Sequence, residues 1–105
     1  MFARNVVVRL KPNMLTQFTE TLEKEVLPLL QKQPGFRDEI TLANDSGTFV
    51  NAISIWDSKE EAEAYDKSAY PQVLKAMEKM TDGAPKVHLS NIVNSTLHKL
   101  AVVAA

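Results

Sequence analysis

The sequence predicts an α+β fold of the ferredoxin-like type, in which a four-stranded antiparallel sheet carries helices on one face. Two observations lead to this prediction. Four segments rich in β-branched or alternating apolar residues have the pattern of strands, and stretches with apolar residues every three or four positions have that of helices. Their order along the chain, β-α-β-β-α-α-β, is the order of the ferredoxin-like fold.

The composition indicates a single ordered domain covering residues 1–105. Hydrophobic residues make up 45% of the chain and charged residues 24%, which is ordinary globular usage. The formal charge of −1 gives no bias towards nucleic acid or an anionic membrane, so we expect neither as a partner. The absence of cysteine excludes a disulfide framework, a thiol nucleophile and a cysteine-ligated metal.

The sequence contains no recognisable targeting or membrane segment. No apolar run approaches the roughly 18 residues of a membrane span. The first five residues lack the charged start and long apolar stretch of a signal peptide. We therefore expect a cytoplasmic protein.

The first predicted strand and helix occupy the N-terminal third of the chain. Residues 5–10 are mostly β-branched and are followed by a turn, which predicts a strand. Asn13 is the expected N-cap of the next helix. Pro28 is expected to kink or end that helix near Leu27. The apolar face of the helix comprises Leu15, Phe18, Leu22, Val26, Leu29 and Leu30.

A hairpin is predicted after the turn at residues 33–36. Its first strand contains Phe36, Ile40 and Leu42, which alternate imperfectly with polar residues. Residues 44–47, Asn-Asp-Ser-Gly, have the composition of a hairpin turn. Residues 49–56 form the second strand and are nearly all apolar, so we expect both of its faces to be covered and the strand to be central.

The second helical region begins with a predicted capping box. Ser58 is placed to accept a hydrogen bond from the backbone N–H of Glu61, whose carboxylate reaches back. Pro71 tolerates the first turn of a further helix. The apolar positions of these two helices are Ala62, Tyr65 and Ala69 in the first and Val73, Leu74, Met77 and Met80 in the second.

The last predicted strand covers residues 86–94. Val87 and Leu89 lie on one face of it, and His88 and Ile92 lie on the other. The apolar tail, residues 97–105, has three expected fates: it extends the strand, packs on a partner or frays.

Two segments carry a resemblance to a known family. At residues 33–36, Gln-Pro-Gly-Phe, and 55–65, Ile-Trp-Asp-Ser-Lys-Glu-Glu-Ala-Glu-Ala-Tyr, the chain resembles the antibiotic-biosynthesis monooxygenase-like domains of the dimeric α/β-barrel superfamily. The match in element order and turn positions extends from Val6 to Val93. The resemblance implies a homodimeric α/β barrel, with two sheets packed face to face and a pocket between each sheet and its own helices.

The residues support a homodimer on separate grounds. The helices cover one face of the predicted sheet. The other face would expose Val7 and part of the central strand unless a partner packs on it.

The resemblance raises the question of haem chemistry, since the family includes haem-degrading monooxygenases that use an Asn, a Trp and a His. In this chain those positions fall on Val6, Tyr65 and Lys75. Asn5 is one residue from the first position, but a one-residue slip reverses the strand face. An ammonium group cannot replace a neutral imidazole as axial ligand. We expect no haem turnover and no cofactor.

A second activity in the family is the cofactor-free oxidation of polyphenolic substrates, which requires an apolar cavity with a few polar groups. The substrate-binding candidates are Tyr65, Trp56, Phe18, Met77 and His88, and Met80 could also line such a cavity. The alternative interpretation is that the aromatic residues and methionines are ordinary core residues.

The two histidines give little support for a metal site. His88 and His98 are ten residues apart, and no carboxylate joins them at metal-ligand spacing. His88 is therefore either an acid–base group in the pocket or a half-exposed structural residue.

Two functional hypotheses remain open. The first is a domain that binds a small apolar or aromatic molecule, with cofactor-independent oxygenation of an aromatic or lipophilic substrate as its activity. The second is a non-catalytic dimeric binding or stress-response protein on the same scaffold. A filled space between the helices and the sheet would favour the second hypothesis.

Overall fold

The computed structural model describes residues 1–97, which form an antiparallel sheet of four strands with helices packed on one face. The strands lie in the order β2-β3-β1-β4. The elements are β1 (Phe2–Arg9), α1 (Leu15–Thr21), a π-helical segment (Leu22–Val26), α2 (Leu27–Gln31), β2 (Phe36–Ala43), β3 (Phe49–Trp56), α3 (Lys59–Ser68), α4 (Tyr70–Met77) and β4 (Lys86–Asn91). The predicted ferredoxin-like fold and element order are confirmed.

The two-residue period of the strands divides the sheet into two unlike faces. In β1 the even-numbered residues are buried and point towards the helices, whereas the odd-numbered ones point away. Register carries this division across the sheet, because Val6 lies opposite Ala52 in β3 and Val87 in β4. We call the first surface the helix face and the second the open face.

The hydrophobic core lies between the helix face and the helices. Trp56 and Val50 of β3 are fully buried there. The remaining core residues come from β1, from all four α-helices and the π-helical segment, and from the ends of helices: Phe2, Val6, Val8, Leu10, Phe18, Leu22, Val26, Leu30, Ala62, Tyr65, Ala69, Met77 and Met80. The predicted helical stripes are therefore the faces that pack on the sheet.

The start of α1 differs from the prediction. Asn13 adopts a left-handed backbone conformation, with φ of 61°, which Asn tolerates better than most residues. The helix begins two residues later, and its N-cap, Met14, makes no side-chain capping bond. Asn13 therefore forms the turn before the helix and does not cap it.

Pro28 does not end the helix where the sequence predicted. The helical run continues to Gln31, and Pro28 lies in the first turn of α2, directly after the π-helical segment. A proline has no N–H to donate, so a first-turn position is one that it tolerates. The π-helical segment absorbs the irregularity that the sequence indicated here.

A bulge in β2 explains the imperfect alternation of its apolar residues. The register with β3 shifts between Phe36 and Asp38. As a result Phe36 pairs with Trp56 on the helix face, while Ile40 pairs with Ile53 on the open face. An extra residue in one strand changes which face the following side chains occupy.

The capping box at α3 forms with one change in its hydrogen bonds. The Ser58 hydroxyl accepts from the Glu61 backbone N–H at 3.2 Å, as predicted, and donates to Glu61 Oε1 at 3.0 Å. The carboxylate thus accepts from the hydroxyl of Ser58 instead of its backbone. Gly35 lies against this carboxylate, and a Cβ atom at Gly35 would come within 2.2 Å of Glu61 Cδ.

The C-terminal region is only partly described. β4 ends at Asn91, three residues before the predicted end. His98 and nearly all of the apolar tail lie outside the described residues. Within residues 1–97, no helix has the length and apolar character that a membrane span requires.

The contact between Gly35 and Glu61 yields a prediction about stability. Gly35→Ala and Gly83→Ala both place a side chain at a positive φ, 80° and 85°, but only the first crowds another group. Each substitution is expected to cost about 1–2 kcal/mol for the backbone conformation. Gly35→Ala is expected to cost about 1 kcal/mol more, because it displaces the carboxylate from the α3 cap.

Urea unfolding of the two variants measures this difference. In a Glu61→Ala background the two glycine substitutions should become equally costly. Equal losses in the original background would show that the cap does not depend on the space at Gly35.

Candidate functional site

A cavity lies between the helix face of the sheet and the helices. Its volume is about 60 Å³, and it opens towards solvent. The lining is mostly aliphatic and aromatic and comes from β1, β2, β3, all the helical segments and the loop before β4: Arg4, Val6, Val8, Phe18, Leu22, Val26, Leu30, Glu39, Ala52, Ser54, Tyr65, Tyr70, Val73, Leu74, Met77, Thr81 and Pro85. Mostly apolar walls with a few polar groups are typical of small-molecule sites.

The most unusual polar group in the lining is the guanidinium of Arg4. Arg4 is an even-numbered residue of β1, so it points to the helix face, and it is only 2% exposed. Its Nη2 donates to Asp66 Oδ1 at 2.6 Å, and the Asp66 side chain is 49% exposed. Burying a charge is costly unless it is paired, so this ion pair is what lets Arg4 occupy the site.

Two tyrosine rings complete the surroundings of Arg4. The guanidinium carbon lies 3.9 Å from the ring centroid of Tyr70 and 5.3 Å from that of Tyr65. Both distances are within the range of cation–π attraction. The rings therefore stabilise the charge on one side while Asp66 pairs with it on another.

Burial keeps the two tyrosine hydroxyls protonated. It raises the pKa of Tyr65 to about 12, against the smaller lowering effect of Arg4. Burial also raises the pKa of Tyr70, with Arg4 again opposing it. At neutral pH both hydroxyls are therefore proton donors to a ligand and not bases.

Glu39 is the acidic group of the cavity. It points to the helix face of β2, where the hydroxyl of Thr41 donates to its two carboxylate oxygens at 2.8 and 2.6 Å. Burial raises the pKa of Glu39 above its ordinary value, and the Thr41 hydrogen bond partly opposes this. A carboxyl group in this situation takes up a proton more readily than one in water.

Ser54 is held at the cavity wall by the fully buried tryptophan. Trp56 Nε1 donates to Ser54 Oγ at 2.8 Å, and Ser54 Oγ lies 3.4 Å from the carbonyl oxygen of Arg4. The Trp56 ring also packs at 5.1 Å from the ring of Tyr65. Trp56 therefore positions two lining residues without lining the cavity itself.

A second, outer groove adjoins the cavity at the β4 edge. Arg4, Tyr70 and Leu74 border both spaces. The outer groove also contains Asp66 and the exposed side chain of Leu89. The pair formed by Arg4 and Asp66 thus lies at the boundary between the cavity and the groove.

The structure brings together three of the five predicted site residues. Phe18, Tyr65 and Met77 line the cavity. Trp56 lies directly behind Tyr65. His88 pairs with Asn5 on the open face and is exposed, so the sheet separates it from the cavity.

Five polar lining residues were not among the predicted candidates: Arg4, Glu39, Ser54, Tyr70 and Thr81. Strand period is the signal that could have revealed the first of them. Arg4 has the same parity as Val6 and Val8, so a strand begun at residue 2 would have placed a charge among core positions. The position of Glu39 depends on the β2 bulge, which periodicity alone does not locate.

The cavity does not fit haem. The family's Asn and Trp positions, Val6 and Tyr65, do line it, but Lys75 is exposed and borders a separate surface depression. Haem iron is held in proteins by imidazole, thiolate or thioether groups. The described lining contains no pair of such groups that could ligate the iron together. Among residues 1–97, no group of three His, Asp or Glu side chains is placed to hold a metal ion.

Comparison with known proteins identifies a family. The family profile described as antibiotic biosynthesis monooxygenase matches residues 1–79. No curated protein sequence matches the chain.

Solved structures share the fold. A monooxygenase from the gene ActVA-Orf6 of Streptomyces coelicolor, in complex with the ligand nanaomycin D, has a TM-score of 0.77 and 18% identity, and the match covers 93% of this chain and 92% of that one. A Nitrosomonas europaea protein of unknown function has a TM-score of 0.75 and 14% identity over 93% and 94% of the two chains. A Bordetella bronchiseptica protein whose name places it in the same family has a TM-score of 0.76 and 11% identity over 89% and 97%. At these identities the likeness shows the fold.

The burial of the tyrosines yields a prediction about alkaline pH. Tyr65 and Tyr70 are the only tyrosines. An ultraviolet titration of the folded protein should show their ionisation displaced above pH 10, with the Tyr65 part near pH 12 and missing in Tyr65→Phe.

The raised pKa of Tyr65 also determines the direction in which stability changes with pH. Because the pKa of Tyr65 is higher in the folded than in the unfolded chain, its contribution is fully present below pH 10 and is lost as pH rises towards 12. The free energy of unfolding should fall over this window, and less so in Tyr65→Phe. Full ionisation of both tyrosines near pH 10 with an unchanged circular dichroism spectrum would contradict the burial described here.

Proposed function

The chain belongs to the antibiotic biosynthesis monooxygenase family, and from that premise we propose that it binds a small apolar or aromatic molecule in the cavity between its sheet and its helices. The observation that carries the proposal is the open space itself. Seventeen side chains line it, yet they do not fill it. A core without a ligand-binding role is normally packed to the density of an organic crystal.

The lining supports a ligand with a flat, apolar body. Phe18, Val6 and Met77 present carbon atoms from three different elements. The strand register places Glu39, Ser54 and Arg4 side by side across the sheet. Apolar walls provide affinity, and a few fixed polar groups provide orientation. This distribution suits an aromatic or lipophilic molecule that carries polar substituents at one end.

The activity we propose is a cofactor-independent oxygenation of such a molecule. In the overall reaction a CH₂ group activated by neighbouring hydroxylated rings reacts with O₂, giving a C=O group and one water. The carbon loses four electrons and O₂ gains them, so no external reductant is consumed. The step requires removal of a proton from the substrate, and Glu39, with its raised pKa, is the cavity group suited to accept it.

A non-catalytic binding protein is the competing function, and the position of Lys75 favours it. The family's haem-dependent members use a His there, and in this chain the residue is exposed and faces away from the cavity. Oxygen uptake with a hydroxylated aromatic bearing an activated CH₂ group separates the two functions. Uptake of one O₂ per product molecule, abolished in Glu39→Gln, supports oxygenation, whereas binding without uptake supports the competing function.

Ligand binding has its own prediction. Native mass spectrometry of the protein purified from its own host should show a retained small molecule. Ala52→Leu adds bulk at the cavity wall and should abolish its retention, whereas Ala64→Leu, on the exposed face of α3, should not.

Thermal unfolding serves as the control, since Ala52→Leu fills space and should leave the fold intact. Retention that is equal in the two variants would place the molecule outside the cavity. Absence of any bound molecule, together with no binding of aromatic probes, would refute the proposed function.

We also propose that the protein is a homodimer formed by the open face. Ile40, Leu42 and Phe49 are exposed there by 45, 49 and 44%. Together with Ile53 they form an apolar surface that no element of residues 1–97 covers. Contiguous apolar patches of this kind mark interaction sites.

Two leucines provide a matched test of this assembly. Leu42 lies on the open face and is 49% exposed, whereas Leu89 pairs with Arg4 on the helix side and is 45% exposed. Sedimentation of the unchanged protein should give about 23 kDa, twice the chain mass of 11.7 kDa. Leu42→Lys should shift the mass towards one chain and Leu89→Lys should not, so a monomer at micromolar concentration would contradict the proposal.

A further inference from the structure

Arg4 has more hydrogen-bonding capacity than its surroundings use. A guanidinium carries five N–H donors. One nitrogen, Nη2, donates to Asp66, and the guanidinium carbon lies 3.9 Å from the ring centroid of Tyr70. The Nε–H is fully buried and has no hydrogen-bond partner among the described residues.

An unpaired N–H donor on a buried cation lowers the stability of the folded protein. Buried polar groups are nearly always paired, and an unpaired charged donor forfeits more energy than a neutral one. Arg4 lines the cavity, so an acceptor on a bound molecule can pair with the part of the guanidinium that borders the space and offset this cost. Arg4 thus provides a polar contact in a mostly apolar cavity.

The charges around Arg4 favour an anionic acceptor. Asp66 neutralises the guanidinium only partly, because its carboxylate is half exposed and meets one nitrogen. The hydroxyls of Tyr65 and Tyr70 are protonated and can donate to the same ligand oxygen. Glu39 is the opposing charge, and it lies on β2, with β3 between it and Arg4.

We propose that the cavity selects ligands that carry one anionic oxygen group, a carboxylate or sulfonate, on an apolar body, and that Arg4 holds this group. The proposal rests on the proposed function and specifies its ligand class. A neutral aromatic molecule would fill the apolar part of the cavity but leave the charge of the Arg4 guanidinium only partly neutralised. The anion adds a charge-assisted hydrogen bond to the burial of the rings.

Two fluorescent probes with the same rings test the proposal directly. Anilinonaphthalene sulfonate carries one anionic group, and N-phenylnaphthylamine is the same skeleton without it. The protein should bind the sulfonate about tenfold or more tightly than the neutral probe, as expected for a hydrogen bond to a charged group. Arg4→Met should remove this preference while the affinity for the neutral probe changes less than twofold.

A matched control separates Arg4 from surface arginines. Arg9 lies on the same strand but on the open face, where its guanidinium carbon is 5.4 Å from the ring centroid of Phe49. Arg9→Met should leave both probes unaffected. A loss of sulfonate binding in Arg9→Met as large as that in Arg4→Met would show surface binding and overturn the proposal.

A second variant tests the proposal in the opposite direction and keeps a side chain of the same size at position 66, with binding of the neutral probe as the check that the cavity is intact. Asp66→Asn removes the competing carboxylate from a half-exposed position, so Arg4 should attract an anion more strongly. We expect sulfonate affinity to rise about threefold or more, with the neutral probe unchanged. Unchanged or weaker sulfonate binding would contradict the role given to Arg4.

The outcomes keep the two proposals apart. Equal affinity for both probes, displaced by Ala52→Leu, would refute the anion preference and leave the binding cavity supported. Binding of neither probe would refute the proposed function itself.

Discussion

Burial of the Arg4 guanidinium constrains the arrangement of the helix side of the sheet. A charge with 2% exposure can be kept there only if other elements supply its partners. Asp66 comes from α3 and Tyr70 from α4, so both helices must lie at fixed positions over β1. The ion pair and the ring contact therefore define where these helices pack, and hence where the cavity is open.

Trp56 provides the rigid support for this arrangement. Its ring packs against Tyr65 of α3 and Phe36 of β2, and its N–H holds Ser54. Aromatic pairs of this kind add to the energy of simple burial. Because Asp66 follows Tyr65 directly, the contact that places the Tyr65 ring also places the carboxylate near Arg4. A residue outside the cavity thus determines the geometry of its polar end.

The fold could be read from the sequence because its elements have clear periods, whereas the site depends on contacts between distant residues. The helical stripes and the nearly all-apolar strand at residues 49–56 predicted the layers and the central position of β3. Local patterns could not show that Arg4 would meet Asp66, 62 positions away. The bulge in β2 and the left-handed Asn13 are likewise set by packing and turn geometry.

His88 shows how a correct period can still mislead about function. The sequence placed it on the opposite side of its strand from Val87, and the structure agrees. Which of those sides faces the helices depends on the register of β4 against β1, which the sequence of β4 does not contain. The orientation of the aromatic and methionine candidates on helices was easier to predict, because an amphipathic helix has a single apolar face and that face packs on the sheet.

The open cavity also has an energetic consequence for a chain of this size. Side chains that border empty space lose contacts that a packed core would supply, and a domain of 105 residues has little stability to spare. A molecule that fills the cavity binds the folded state alone, and at a hundred times its dissociation constant it adds about 2.7 kcal/mol of stability. Small side chains at Ala52 and Ser54 keep the space open at the sheet, and Arg4 keeps it from being wholly apolar. Both features lower the stability of the empty protein, and a ligand of the proposed kind would offset that loss.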